Sequence, residues 1–366
     1  MGPDGSHFLE STGVSTAQVT VRALRATDAA GWDEFVFGTP SATFFHRVGW
    51  QAVIERAFGH RTHYLLAESA GVIVGVLPLT EIKSRLFGHS LVSNVFCVYG
   101  GIVAVNDQAR AALDQAAQQL ARDLKVGHLE YRQLTSSQRE ASPPGGAEWS
   151  KQDLYFTFRK AIDPDVEANM LAIPRKQRAM VRKGIKNGLV SELDPTVDRF
   201  FKLFADNVKR HGTPALPKRY FALLKEVFGA DCEVLTVLHE GKVISSVLSF
   251  YFREEVLPYY AGDREDARHL AANDFKYWDL MRRACERGYR VFDYGRSKRG
   301  TGQFDFKKNW GFEPQQLHYE YFLVNAPRVP EHNPTNPKYR LFIEMWKHLP
   351  TPVANALGPY IVKNLG

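Results

Sequence analysis

The sequence predicts an α/β fold built twice in tandem, each unit a mixed, mostly antiparallel sheet flanked by helices. Three observations carry this. The stretches "HYLLAESAGVIVGVLPLTEI" (63–82) and "EVLTVLHEGKVISSVLSFYF" (233–252) each join two alternating strands through an acidic residue and a glycine, the pattern of a β-hairpin. The stretches "ALDQAAQQLARDLKVGHLEYRQL" (112–134) and "FKYWDLMRRACERGYRVFDYGRS" (275–297) each run an apolar-striped helix into a glycine and then directly into a strand. Finally, Gly71 and Gly241 lie 170 residues apart, and Gly127 and Gly288 lie 161 apart, the near-constant offset that a duplication leaves.

Taken in order, residues 1–18 form a polar tail with no basic segment leading into an apolar run, so no signal peptide is expected and the protein is placed in the cytoplasm. The first unit spans 19–160: two helices, the hairpin, a strand, a helix and a strand. A Pro/Gly-rich hinge, "SSQREASPPGGAEWS" (136–150), precedes its closing strand "KQDLYFTFRK" (151–160). The second unit, 161–324, repeats the order and closes with "LHYEYFLV" (317–324). Residues 325–366 are a Pro-rich tail in which Trp, Leu, Ile and Val mix with Arg340, Lys347 and Lys363. That tail reads as an interfacial segment touching the inner face of the membrane, or as a strap over its own domain.

Composition bounds the function. At 366 residues, 44% hydrophobic and 24% charged, the chain is a soluble globular type with room for two cores. Cys97, Cys232 and Cys285 are too scattered for a disulfide framework or a metal-ligand spacing, so no metal site is expected. No Walker loop or Ser/His/Asp order appears. A net charge of +7 favours anionic partners: RNA, a nucleotide-diphosphate compound or an acidic membrane surface.

The cations cluster. In "FDYGRSKRGTGQFDFKKNWGFEP" (292–314) a strand breaks at Gly295 into Arg296, Ser297, Lys298 and Arg299, and such a loop suits a phosphate or diphosphate. In "IPRKQRAMVRKGIKNGL" (173–189), Arg175, Lys176, Arg178, Arg182, Lys183 and Lys186 fall at helical spacing with no acid among them; the face would suit an RNA backbone or polyanionic carrier, or be simply solvated. In the first unit, His46 and Trp50 of "FFHRVGWQ", and Asn94 and Tyr99 of "SNVFCVYGG", are candidates to line a groove between the units and bind an acceptor. His46 could equally be a satisfied structural histidine, and Tyr259 and Tyr260, before Gly262, could equally be sheet-packing aromatics.

A strand ending in Asp293-Tyr294-Gly295, a loop, and then Phe306-Lys307-x-x-Trp310-Gly311-Phe312 resembles the closing segment of the second domain in FemABX-like peptidyltransferases, which carry two GNAT-type acyltransferase units. Within that group the pieces "TFFHRVGWQAVIERAFGH", "GVLPL", "FGHSLVSNVFCVYGG" and "WKHLPTPVANALGP" are most similar to FemAB proteins associated with exosortase/PEP-CTERM and exopolysaccharide systems. The resemblance implies an acyltransferase that forms an amide on an amino group of an anionic or carrier-linked envelope or exopolysaccharide precursor. It implies aminoacyl-tRNA as donor and partner, and no tightly bound cofactor. It assigns Lys307, with Lys308 beside it, to a substrate phosphate or the developing oxyanion. Asp293 would orient the nucleophilic amine or pair with Arg296, and Tyr259 would face the donor.

Two departures stand out. No glycine occurs between Asp263 and Trp278, where GNAT units cradle the diphosphate of acyl-CoA on backbone N–H groups, and Tyr99-Gly100-Gly101 replaces the Arg-Gly-Pro turn of relatives that build peptidoglycan bridges. Two other readings therefore stay open: an acyl-CoA-dependent N-acyltransferase acting on an amino sugar, and a non-catalytic module that holds an anionic glycan or RNA.

Overall fold

The computed structural model describes residues 18–84, 87–136, 149–329 and 337–364. The polar N-terminal stretch and most of the Pro/Gly hinge lie outside them. The two units repeat one order of elements. Helices Ala29–Gly38 and Gly49–Phe58, the hairpin Leu65–Ser69 and Val72–Leu77 continued by Leu79–Ser84, strand Gly88–Ser93, helix Asp107–Asp123 and strand His128–Gln133 make the first. Helices Asp198–Arg210 and Lys218–Phe228, the strands Cys232–His239, Lys242–Phe252 and Glu255–Asp263, helix Ala272–Glu286 and strand Val291–Asp293 make the second. Both hairpins turn on two positive-φ residues, Ala70 and Gly71 (50° and 78°) and Glu240 and Gly241 (48° and 75°), which is how a two-residue turn follows the right-handed strand twist.

The helix-to-strand passages differ in detail. Gly288 takes φ 88°, as a glycine stop predicts, whereas in the first unit Lys125 makes the left-handed turn at φ 55°. Gly127 serves for space instead: a Cβ there would sit 3.2 Å from the His89 carbonyl oxygen. In the second unit strand Glu255–Asp263 pairs in parallel with Val291–Asp293 only at Glu255 and Val256. Beyond that the two strands part, and Tyr259, Tyr260 and Ala261 stand along the opening.

The closing strands are exchanged relative to the sequence reading. Strand Tyr155–Ala161 pairs with Val291–Asp293, Ser297–Lys298 and Pro314–Gln316, inside the second unit's sheet. Strand His318–Leu323 runs back to lie between His128–Gln133 and Trp149–Gln152, inside the first. Alternation tells which face of a strand is buried and says nothing of which strand lies beside it. The core is shared as well. Phe44, Phe45 and Trp50 of the first unit stack on Phe228 and Phe250 of the second, with Phe44 and Phe250 centroids 4.4 Å apart.

The tail forms helices Pro337–His348 and Thr351–Val362, which pack on helix Asp198–Arg210 and the loop after it. A Cβ on Gly212 would meet Ile343 at 2.4 Å, and one on Gly358 would meet the Ala215 carbonyl at 3.1 Å. His60 of the first unit donates from Nε2 to the Lys363 carbonyl at 2.7 Å. Among the described residues no helix is long and apolar enough to cross a membrane.

Exchanged strands and a shared core couple the units. Calorimetric unfolding is therefore expected as one transition, and Trp50→Ala is expected to lower its stability by about 3–5 kcal/mol as a whole. Two separable transitions, with only one moved by the substitution, would contradict the coupling.

Candidate active site at the mouth of the parted strands

The site is built around one peptide. Gly295 follows the strand Val291–Asp293 and turns with φ 65°, a conformation that glycine adopts without steric penalty. Its N–H donates to Asp293 Oδ1 at 2.7 Å, and its carbonyl accepts from Lys307 Nζ at 3.0 Å. The same ammonium reaches the Arg296 carbonyl at 3.1 Å. Lys307 is delivered by helix Gly302–Asn309, which begins with Thr301 accepting from the Phe304 N–H. Helical spacing turns Phe304 and Lys307 inward and leaves Lys308 exposed.

Lys307 is 8% exposed and lies 5.6 Å over the Phe158 ring. Burial lowers its pKa to about 7, against the upward pull of Asp293. In its neutral form the amine has two N–H bonds for two carbonyls and one lone pair left over.

Asp293 has no exposed surface. Its carboxylate accepts from Tyr99 Oη at 3.0 Å, from Thr157 Oγ1 at 3.1 Å and from the Gly295 N–H, with Arg159 Nε 3.3 Å away. Burial raises its pKa, and Arg159 and these donors oppose the rise. The Tyr99 and Thr157 hydroxyls also lie in contact with each other, and Arg159 pairs with Glu255. The ion pair expected with Arg296 thus forms with Arg159 instead. Alternation along Tyr155–Ala161 puts Thr157 and Arg159 on the side of Asp293, while Phe156 and Phe158 enter the core.

Arg296 is freed to face outward. It is exposed, donates from Nη1 to Tyr319 Oη at 3.0 Å and lies 4.4 Å over the Tyr155 ring. Tyr319 donates in turn to the Val98 carbonyl at 3.0 Å, and Arg132, bonded to Glu130 at 2.8 Å, lies 5.7 Å over its ring. Half-buried Tyr259 and Tyr260 sit within range of the Arg296 charge. Beside it the Ser297 hydroxyl is buried without a partner among the described residues. A guanidinium, a hydroxyl without a partner and tyrosine rings thus stand together, a set suited to an anionic group carried on a polar or ring-bearing molecule.

The structure divides the sequence candidates. Asp293, Lys307, Arg296, Ser297 and Tyr99 come together, and Tyr259 flanks them while its Oη donates to the Phe96 carbonyl at 3.0 Å. His46 does not join them. It is buried, its Nδ1 accepts the Thr43 N–H at 3.0 Å and its Nε2 donates to the Gly101 carbonyl at 3.1 Å; burial lowers its pKa to about 4, so it is a neutral structural residue. Trp50 is core, with Nε1 on the Phe44 carbonyl at 3.1 Å, and Asn94 is buried and donates to the Phe45 carbonyl. Arg175, Lys176 and Arg182 are exposed on helix Arg175–Lys186, and Arg178 caps the Leu171 carbonyl at 2.9 Å. Thr157, Arg159, Tyr155, Tyr319 and Arg132 were missed. Their one signal is a polar or tyrosine position recurring within otherwise apolar strands. Two concavities lie elsewhere: one of about 850 Å³ lined by Arg199, Lys202, Arg210, Lys242 and Arg264, the other of about 360 Å³ lined by Lys160, Met281, Trp310 and Phe312.

Known proteins can now be set beside this geometry. Residues 175–308 match the family described as "Acetyltransferase (GNAT) domain". The fold matches the crystal structure of FemX with a TM-score of 0.66 at 16% identity, covering 84% of this chain and 98% of that one. Residues 175–308 thus carry a GNAT domain, and the fold of the whole chain resembles that of FemX. Also similar are a tandem GNAT protein from the clavulanic acid biosynthesis pathway (TM-score 0.52, 14% identity, 85% and 100% coverage) and the C-terminal domain of a putative lysylphosphatidylglycerol synthetase from Agrobacterium fabrum (0.53, 14%, 83% and 99%). No curated protein matches the chain. At these identities the likeness is one of fold.

Within the GNAT domain, the start of helix Ala272–Glu286 lacks a glycine cradle for a diphosphate. The turn Glu265–Leu270 is a 3-10 helix, Ala271 takes φ 61°, Asp263 is paired with buried Lys276 at 2.8 Å, and Asp274 in the first helical turn accepts Trp310 Nε1 at 3.0 Å. Carboxylates rather than bare glycine N–H groups stand at the helix start, a poor fit for the diphosphate of acyl-CoA.

The titration of Lys307 gives a stability test. An unfolded lysine titrates near about 10.4, so between about 7 and 10.4 the native state binds fewer protons than the unfolded one and stability rises with pH. Lys307→Met is expected to flatten that rise in urea melts taken from pH 6 to 10. An unchanged slope would mean that Lys307 is not desolvated.

Proposed function

We propose that this protein is an amide-forming acyltransferase that moves an aminoacyl group from tRNA to an amino group of a carrier-linked envelope or exopolysaccharide precursor. The observation that carries the reading is the Gly295 peptide, pinned by Asp293 and Lys307 so that Arg296 faces the opening between the parted strands. The sequence likeness to exopolysaccharide-associated FemAB proteins supports the acceptor class.

An ester-linked donor is already activated, so the site has to position a neutral amine, take its proton and steady the oxyanion. Neutral Lys307, with a pKa of about 7, takes the proton at Nζ as the C–N bond forms. When the ester C–O bond breaks, the proton passes to the ribose oxygen that leaves. Arg296 and the Ser297 hydroxyl hold the anionic group, and Asp293 and Tyr99 fix the loop that presents them. Exposed Arg175, Lys176 and Arg182, with Arg178 on the same helix, and exposed Lys308 beside Lys307, supply cations for the tRNA backbone. Soluble charged tRNA as donor places the reaction in the cytoplasm.

A second reading, acyl-CoA-dependent N-acylation of an amino sugar, is favoured by the family description of residues 175–308. The carboxylates at the helix start argue for the first. Labelled aminoacyl-tRNA and acyl-CoA, each offered with amino-sugar acceptors, separate them: ribonuclease-sensitive incorporation supports the tRNA reading, and incorporation from acyl-CoA alone overturns it. With the productive donor, kcat/KM is expected to rise through about pH 7. Lys307→Ala should lose about 100-fold or more, and Lys307→Arg, which keeps the charge and removes the base, should not restore it. Full rescue by Arg would make Lys307 a positioning residue only.

A further inference from the structure

The last helix, Thr351–Val362, is built inside out for a strap. Its small residues Ala354 and Gly358 face inward, where Gly358 lies against the Ala215 backbone, while Val353, Leu357 and Tyr360 face outward, the last 70% exposed. A helix that only covers its own core puts its large apolar residues inside. Val362 alone among the large ones packs inward on the shared core. The preceding helix adds Met345, 62% exposed, and Phe342, while Trp346 is buried.

The described cations of the tail stand at the helix ends: Lys347 closes the first tail helix, paired with Glu344 at 2.8 Å, and Lys363 follows the second. The sequence of helix Thr351–Val362, "TPVANALGPYIV", contains no charged residue. Residues 337–364 carry Lys338, Arg340, Lys347 and Lys363 against one acid, Glu344. Lys363 lies 5.9 Å over the Tyr360 ring, an aromatic-cation pair of the kind that sits at a headgroup boundary. A protein partner for so apolar a face would need a matching apolar surface. A segment of net positive charge whose last helix is uncharged instead complements an anionic lipid surface, into which the outer face of that helix inserts.

We propose that the outer face of the two tail helices docks the protein on an anionic bilayer. The tail is fastened to both units, through His60 of the first and Gly212 and Ala215 of the second, so docking fixes the orientation of the whole molecule at the surface.

Flotation of the full chain with phosphatidylcholine vesicles, with and without phosphatidylglycerol, tests this. Binding is expected to the phosphatidylglycerol vesicles, weakening as salt rises. Leu357→Glu with Tyr360→Glu should reduce it at least tenfold, with an unchanged melting temperature because both side chains point to water. Leu357→Phe should preserve it. No flotation, equal flotation on neutral vesicles, or retention by the double variant would overturn the proposal. So would a concentration-dependent dimer that the double variant abolishes, since the face would then cover a second copy. Turnover of the double variant on a soluble acceptor is expected to be unchanged, so failure here is separable from failure of the transferase reading.

Discussion

Everything at the site hangs on a carboxylate that has no water to turn to. Asp293 is fully enclosed, and an enclosed carboxylate persists only where donors replace its hydration. Here they come from three stretches of chain: Tyr99 from the first unit's loop, Thr157 and Arg159 from the crossing strand, and the Gly295 N–H from its own strand end. Meeting that demand brings the loop, the strand and the turn to one point. Lys307 then takes up the carbonyl side of the Gly295 peptide, and Arg296 has only the opening left to face.

The strand exchange makes that convergence possible. Were Tyr155–Ala161 to close the first sheet, Thr157 and Arg159 would be carried away from Asp293. Were His318–Leu323 to close the second, Tyr319 would not stand between Arg296 and the Val98 carbonyl. Each unit thus holds a strand on which the other's polar network depends. The duplicated fold is used asymmetrically: the second copy supplies the strand end that carries Asp293, Gly295 and Arg296, and the first supplies the loop and sheet that enclose it.

Burial also explains why Lys307 and His46 diverge. Both are desolvated, and in both burial disfavours the charged form. His46 spends both ring nitrogens on the backbone of Thr43 and Gly101, so nothing remains to react. Lys307 in its neutral form satisfies two carbonyls and keeps a lone pair. The difference lies in the count of bonding valences against the partners present, not in residue type.

Much was legible in the chain. Hydrophobic alternation, helical spacing and paired glycines depend on local geometry, and they foretold the hairpins, the helix-to-strand passages and the duplication. Glycine followed by cations at a strand end likewise pointed to Gly295 and Arg296, and the resemblance carried by Phe306-Lys307-x-x-Trp310-Gly311 pointed to Lys307. The tertiary structure alone decided that Asp293 pairs with Arg159 rather than Arg296, that His46, Trp50 and Asn94 belong to the interior, and that Thr157 meets Asp293 and Tyr319 meets Arg296. A strand's sequence encodes which of its faces is buried, while the neighbour it meets is chosen by the packing of two whole sheets, and these assignments all turn on that choice.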